Sequence, residues 1–321
     1  MEYARLGSAG VKVSRICLGT MQFGNSAEWM LGIDAARPII NRALDLGINF
    51  FDTANSYSGG RTEEIVGELL KGVRDDVVLA TKVRSTVGKG VNDSGLSRLH
   101  IMREISKSLK RLQTDRIDLY QIHRWDYETP IAETLQALDD LVQAGKVGYI
   151  GASSMFAWQF AKALYTSDLL GISRFVSMQD HYSLAYREEE REMLPLCKDQ
   201  NIAVIPFSPL ARGFLSGKYR RGDKPNTPRY QGDQLLPERF FRPEDFDVVE
   251  RTVEVAKEKG VTSSQVALSW LLHRGITAPI IGATKIEHVN EAVASVELKL
   301  SSDDMKRLEE PYKLHPIIAH N

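Results

Sequence analysis

Cysteine is nearly missing: the 321 residues hold only Cys17, in an apolar strand pattern, and Cys197, in a helical one. Two are too few for a disulfide framework or a closed cysteine metal site, and both read as buried spacers. The seven histidines form no H-x-x-x-H or H-x-E pattern with nearby acids, so no metal is expected. Excess charge is missing as well. With 41 basic and 42 acidic residues the net charge is -1, which leaves no basic field to recruit nucleic acid or an anionic membrane surface. Apolar runs stop at strand length and the start MEYARLG has no apolar h-region, so the expectation is a cytoplasmic protein. A dinucleotide-binding G-x-G-x-x-G turn is absent from ICLGTMQFG, and GFLSGKY falls one residue short of a P-loop, with Tyr219 where Ser or Thr belongs.

What is present is alternation. Short apolar runs (SRICLGT, NFFDTA, VVLATKV, DLYQIHR, VGYIGASS, FVSMQD, AVIPFSP and PIIGAT) alternate with helical patterns about eight times, the signature of βα units and a parallel sheet. Ile131, Leu135, Leu138 and Val142 recur at helical spacing after Pro130, and Gly145 ends that helix. Thr262 to Gln265 and Thr284 to Glu287 have capping-box form. YARLGSAGVKVS reads as an N-terminal hairpin covering one barrel end, and residues 211–243 as a long loop without period. Eight units without a linker favour a single α/β domain over 1–321, a (β/α)8 TIM barrel, whose active site lies at the C-terminal strand ends.

Four proton-handling residues stand at those ends: Asp52 and Tyr57 in FFDTANSY, Lys82 in VVLATKV, and His123 in DLYQIHR. An unpaired ammonium at the end of VVLATKV costs several kcal/mol, roughly a buried-ion penalty, so Lys82 needs an anionic partner. Asp52, on the neighbouring strand, can supply it. A nearby ammonium stabilises the phenolate left when a tyrosine gives up its proton, which makes Tyr57 a usable acid, and His123 can orient a substrate oxygen. The set suits protonation of an oxygen that gains negative charge, as when a carbonyl accepts a hydride.

Together with DTANSYSGGRTEEIVGELL, GKVGYIGASS and PIIGATKIEHVNEA, this tetrad resembles the aldo-keto reductases, NADPH-dependent barrel enzymes that reduce carbonyls. HRWDYETPIAETLQALDDLVQAGKV is similar to their aryl-alcohol-dehydrogenase-like branch. The resemblance implies that Ser153 and Gln179 hold a nicotinamide carboxamide and that Phe207 stacks on the ring. It implies a diphosphate along Ser208, Pro209, Leu210, Arg212, Gly213 and Lys218, and an adenosine phosphate at Gly282, Ala283, Thr284 and Lys285, with His288 and Glu291 near the adenine. Gly19, Thr20, Met21 and Asp52 would complete the cofactor wall. The family often carries Tyr or Trp where Phe207 stands, Gln where His288 stands, and Asn where Ala292 follows Glu291, which makes NAD(H) a second option beside NADP(H).

Met21, Phe23, Trp29, Tyr57, His123 and Trp125 would line an apolar substrate pocket, with the tail PYKLHPIIAHN folding over it and Arg229 or Arg239 adding charge. The partner expected is a small-molecule carbonyl or alcohol; monomer and homo-oligomer stay equally open. Two rival readings share the barrel. One is a redox-sensing channel β-subunit, disfavoured by His123, where those subunits carry Asn, and by a hairpin that starts near residue 3. The other is a Schiff-base lyase using Lys82, disfavoured by its pairing with Asp52.

Overall fold

The computed structural model describes residues 1–222, 230, 239–318 and 320. Its first two strands, β1 (Tyr3–Arg5) and β2 (Lys12–Ser14), pair antiparallel with Tyr3 opposite Ser14, the expected hairpin. Eight parallel strands follow. They are β3 (Cys17–Gly19), β4 (Phe50–Asp52), β5 (Val78–Val83), β6 (Ile117–Ile122), β7 (Val147–Ser153), β8 (Phe175–Gln179), β9 (Ala203–Val204) and β10 (Ile280–Gly282). Consecutive strands are neighbours from β3 to β9, and β10 returns to lie beside β3. The remaining gap is closed by a bridge between Phe207 and Ile280, where the Ile280 N–H donates to the Pro206 carbonyl at 2.9 Å. The seventh apolar run forms only two residues of regular strand, because Pro206 has no N–H for a ladder.

Each strand is covered on both faces, which accounts for runs that are apolar throughout rather than alternating. Inside the barrel Cys17, Phe50, Ala80, Leu119, Ala203 and Ile205 pack with Leu6 and Val13 of the hairpin segment, which plugs the N-terminal end. Gly7 makes that contact feasible. It has φ +62°, and a Cβ there would lie 2.5 Å from the Val176 carbonyl oxygen. Outside the barrel the helices bury their apolar faces; in helix Ile131–Gln143 these include Ile131, Leu135 and Leu138.

Local signals mostly form as expected. Thr262 Oγ1 accepts from the Gln265 N–H while Gln265 Oε1 accepts from the Thr262 N–H, a complete capping box for helix Ser263–His273. The second expected box does not form. Helix Ile286–Ala294 is capped by Lys285, without a side-chain bond, and the Thr284 N–H donates to Nδ1 of His288 instead. A ring nitrogen one turn into the helix thus takes the place of the glutamate. Of the expected long loop, Ala211–Ser216 forms a 3-10 segment and Pro243 opens helix Pro243–Lys259, while Arg229 lies outside the described residues. Among the described residues no helix is long and apolar enough to cross a membrane.

The RTEEIVGELL stretch does structural work. Helix Arg61–Leu70 lies against helix Arg98–Leu112 so closely that a Cβ on Gly67 would meet the Leu112 backbone at 2.6 Å. Buried Glu63 accepts from Thr81 Oγ1 and from Arg111 Nε, both at 2.6 Å, tying the outer face of β5 to both helices. Gly67→Ala is expected to destabilise by about 1–3 kcal/mol, read as a fall in Tm. Gly72→Ala, where nothing lies within 4 Å, should leave Tm nearly unchanged.

Candidate active site

Strand alternation decides which residues reach the barrel interior. Asp52 ends β4 opposite Ala80 of β5, and Lys82 lies opposite Gln121 of β6. Lys82 is fully buried and spends all three of its donors. Its Nζ lies 2.5 Å from Asp52 Oδ2, 2.8 Å from the Thr53 carbonyl oxygen and 3.2 Å from Tyr57 Oη. Asp52 Oδ1 accepts from Gln121 Nε2 and Gln179 Nε2, each at 3.0 Å, so four strands contribute to a single satisfied network. Because Lys82 donates to Tyr57 Oη, the phenolic hydrogen is left to point elsewhere.

Burial works against the charge on Lys82, but the Asp52 carboxylate, Tyr57 and the hydrogen bonds to both outweigh it and raise its pKa. His123 moves the other way. Desolvation, then the charges of Lys82, Arg124 and Arg84, hold its pKa well below the usual 6.5, so the ring is neutral at pH 7. It meets Tyr57 edge-on with centroids 5.9 Å apart, and its Nδ1 lies 3.4 Å from Ser85 Oγ. The four expected residues therefore meet at the C-terminal mouth. Gln121 is a fifth member that the sequence reading passed over, although a glutamine inside the apolar run DLYQIHR is itself a signal.

The expected cofactor wall is partly committed to internal contacts. Thr20 is buried, with its N–H and Oγ1 both donating to the Asp52 carbonyl oxygen. Gly19 is needed for packing, since a Cβ there would stand 2.7 Å from Ile280 Cγ2. Gln22 was also missed: its Nε2 bridges the carbonyls of Gly19 and Ala283, tying the two sides of the cleft together. Ser153 Oγ donates to the Gln179 carbonyl oxygen at 2.9 Å. Gln179 uses Nε2 toward Asp52 and Gln121, and none of its described bonds uses Oε1. Phe207 stacks on His181 at 5.3 Å, with the Arg124 guanidinium 5.6 Å from its ring centre.

After Phe207 the backbone turns left-handed repeatedly, at Ser208, Ala211, Arg212 and Gly213 (φ 50°, 47°, 57° and 93°), with Pro209 and Leu210 between. Such turns gather N–H groups into concavities that hold anions. Lys218 reaches this loop, its Nζ 3.4 Å from where a Gly213 Cβ would stand. At the adjoining cleft edge, past Gly282 and Ala283, His288 is held below its usual pKa by burial, with Glu291 opposing and the cations Lys218 and Lys285 adding to the effect. A free amide oxygen, an aromatic wall and a cation-lined run of turned backbone fit the parts of a nicotinamide dinucleotide.

The expected substrate wall is smaller than the sequence suggests. Met21 and Trp29 are half-buried, and Trp125 is largely buried against Trp158 at 6.4 Å. Phe23 is fully buried in the strand–helix core and offers a ligand no surface. Arg239 is close enough to influence Arg124 and His181 electrostatically.

A family model described as the Aldo/keto reductase family matches residues 15–313. Versiconal hemiacetal acetate reductase of Aspergillus parasiticus is 40% identical, covering 98% of this chain and 99% of its own. An aldo-keto reductase of Fusarium vanettenii is 39% identical over 100% and 94% of the two chains. A Saccharomyces cerevisiae protein provisionally named an aryl-alcohol dehydrogenase is 38% identical over 98% and 97%.

Asp52→Asn is expected to cost about 3–5 kcal/mol by stranding the Lys82 ammonium, and adding Lys82→Met should recover much of the loss in urea denaturation. His123 also predicts a pH effect. Folded, it binds fewer protons than unfolded, so it subtracts stability as pH falls below about 6.5. His123→Asn should make the fall of the urea midpoint with decreasing pH shallower.

Proposed function

The chain belongs to the aldo/keto reductase family and is an oxidoreductase of carbonyl compounds; we propose that it reduces aldehydes or ketones with NADPH, taking the proton from Tyr57. The observation that carries this reading is the contact of the buried, protonated Lys82 with Tyr57 Oη at 3.2 Å, alongside its 2.5 Å contact with Asp52. When bound, the nicotinamide supplies the hydride.

The chain's own residues do the rest. Tyr57 accepts a hydrogen bond from Lys82 and so aims its own hydrogen away from that ammonium, toward a substrate oxygen at the mouth. As the proton leaves, the phenolate forms beside a fixed positive charge, which is where electrostatic preorganisation lowers a barrier. Neutral His123 is not the proton reservoir; it is placed beside Tyr57 to orient the carbonyl by a neutral hydrogen bond. Asp52, pinned by Gln121 and Gln179, keeps Lys82 charged and stationary. The same pairing speaks against a Schiff-base lyase, whose lysine must be unprotonated to attack.

Ser153 and Gln179 Oε1 would hold the carboxamide, Phe207 would face the ring, and Lys218 and Lys285, both close enough to act on His288 electrostatically, support NADPH over NADH. Met21, Trp29 and Trp125 suit aromatic or aliphatic substrates, in keeping with the aryl-alcohol name of one relative.

Tyr57→Phe is the test. Turnover of an aldehyde panel should fall roughly 10²–10⁴-fold while NADPH binding, followed by quenching of protein fluorescence, persists. Retained turnover would remove Tyr57 from the mechanism. The wild-type protein should show a lower KM for NADPH than for NADH, and equal values would remove the cofactor assignment.

A further inference from the structure

One cluster of buried ionisable groups lies outside the catalytic network. Asp180 follows the last residue of β8, Glu189 lies in the 3-10 segment Glu188–Glu190, and His320 belongs to the C-terminal tail. All three are buried, and one ligand atom of each lies within 4.8 Å of the other two. No spacing rule could have found them, because the three come from separate segments. The tail is stitched down on its way there. The Tyr312 hydroxyl and the His315 N–H donate to Glu188 Oε1 at 2.7 and 2.8 Å, and the Ile318 N–H donates to Tyr186 Oη at 3.1 Å.

The polar atoms in this cluster are conspicuously unsatisfied. Asp180 is fully buried, yet neither carboxylate oxygen has a hydrogen-bond partner among the described residues. His320 Nε2 lies 2.9 Å from Glu189 Oε1, but the angle makes no hydrogen bond, and His320 Nδ1 has no partner either. Buried polar atoms with no partner are rare, and buried acids facing each other need protons or a cation between them. Arg124 senses both Asp180 and His320 electrostatically, yet it bonds to neither, and its Nη1 is spent on the His123 carbonyl at 2.6 Å.

We propose that Asp180, Glu189 and His320 bind a divalent transition-metal ion of the zinc class, and that the ion fastens the C-terminal tail to the mouth of the barrel. Two carboxylates and a neutral imidazole carry the charge that a divalent ion cancels. Their donor set of one nitrogen and two carboxylate oxygens suits zinc, and the imidazole discriminates against magnesium. Bonds of about 2.1 Å place tetrahedral ligands about 3.4 Å apart, so modest side-chain rotation closes the site. The site stands behind the cofactor wall, since the Asp180 carbonyl oxygen accepts the Phe207 N–H at 2.9 Å.

The test uses the full chain, stripped with a chelator, desalted and titrated with zinc chloride by calorimetry, with bound metal counted by mass spectrometry. The expected result is one zinc per chain and no heat with magnesium chloride. His320→Ala alters one side chain outside every strand and helix, so its fold should survive, as circular dichroism would confirm. Its zinc affinity should drop by no less than the roughly tenfold to hundredfold that losing even an outer-sphere partner costs. Asp180→Asn should weaken binding similarly. Zinc should also slow limited proteolysis of the segment that follows Tyr312 in the wild type and not in His320→Ala. Absence of stoichiometric zinc overturns the proposal, and so does binding that His320→Ala leaves unchanged, which would place the metal elsewhere. None of these readouts depends on turnover, so failure here leaves the reductase reading standing and the converse holds too.

Discussion

Keeping one ammonium charged in a place where water cannot reach it is the constraint around which the molecule is arranged. Lys82 is wholly enclosed, and a lone buried charge would either expel its proton or unfold the barrel. The solution is distributed. Asp52 supplies the counter-charge, Thr53 a carbonyl, and Gln121 and Gln179 occupy the carboxylate oxygen that Lys82 leaves over. Thr20, in turn, holds the Asp52 backbone through two bonds to its carbonyl. Each of these groups has another duty in the sheet, so the site could not be rebuilt by moving one residue.

That arrangement divides labour between strand faces. Along β5 the inward Lys82 joins Asp52 and Tyr57 at the mouth while the adjacent Thr81 points out to Glu63, which also holds Arg111. The TEEIVGELL stretch therefore fixes where β5 lies, through the contacts of Glu63 with Thr81 and Arg111. Gly67 and Gly60 belong to the same packing, since a side chain at either would run into helix Arg98–Leu112. Precision at the mouth is set by contacts on the far side of the sheet.

How much of this could be read from the residues depends on the range of the signal. The barrel was legible because its strands and helices are local patterns, and the tetrad because ionisable residues that end apolar runs are conspicuous. The capping box at Thr262 is local too and forms. At Thr284 the same four-residue pattern fails because His288, a turn later, offers a competing acceptor. Phe23 was misplaced because an aromatic near a strand end has the same composition whether it faces a cleft or the helix layer. Gln121 was passed over because its partner is Asp52 on a strand two places away in the sheet. The cluster of Asp180, Glu189 and His320 was invisible for the strongest form of that reason: only the folded tail brings its members together.

The hairpin at the other end has its own consequence. With Leu6 and Val13 packed against Cys17, Phe50, Ala80 and Leu119, the barrel is stoppered from below by hydrocarbon. Water therefore has no polar path to the buried ammonium from that side, and the charge of Lys82 is answered only by the groups at the mouth. A plug of a few apolar residues far from any reacting atom thereby keeps the floor of the site dry.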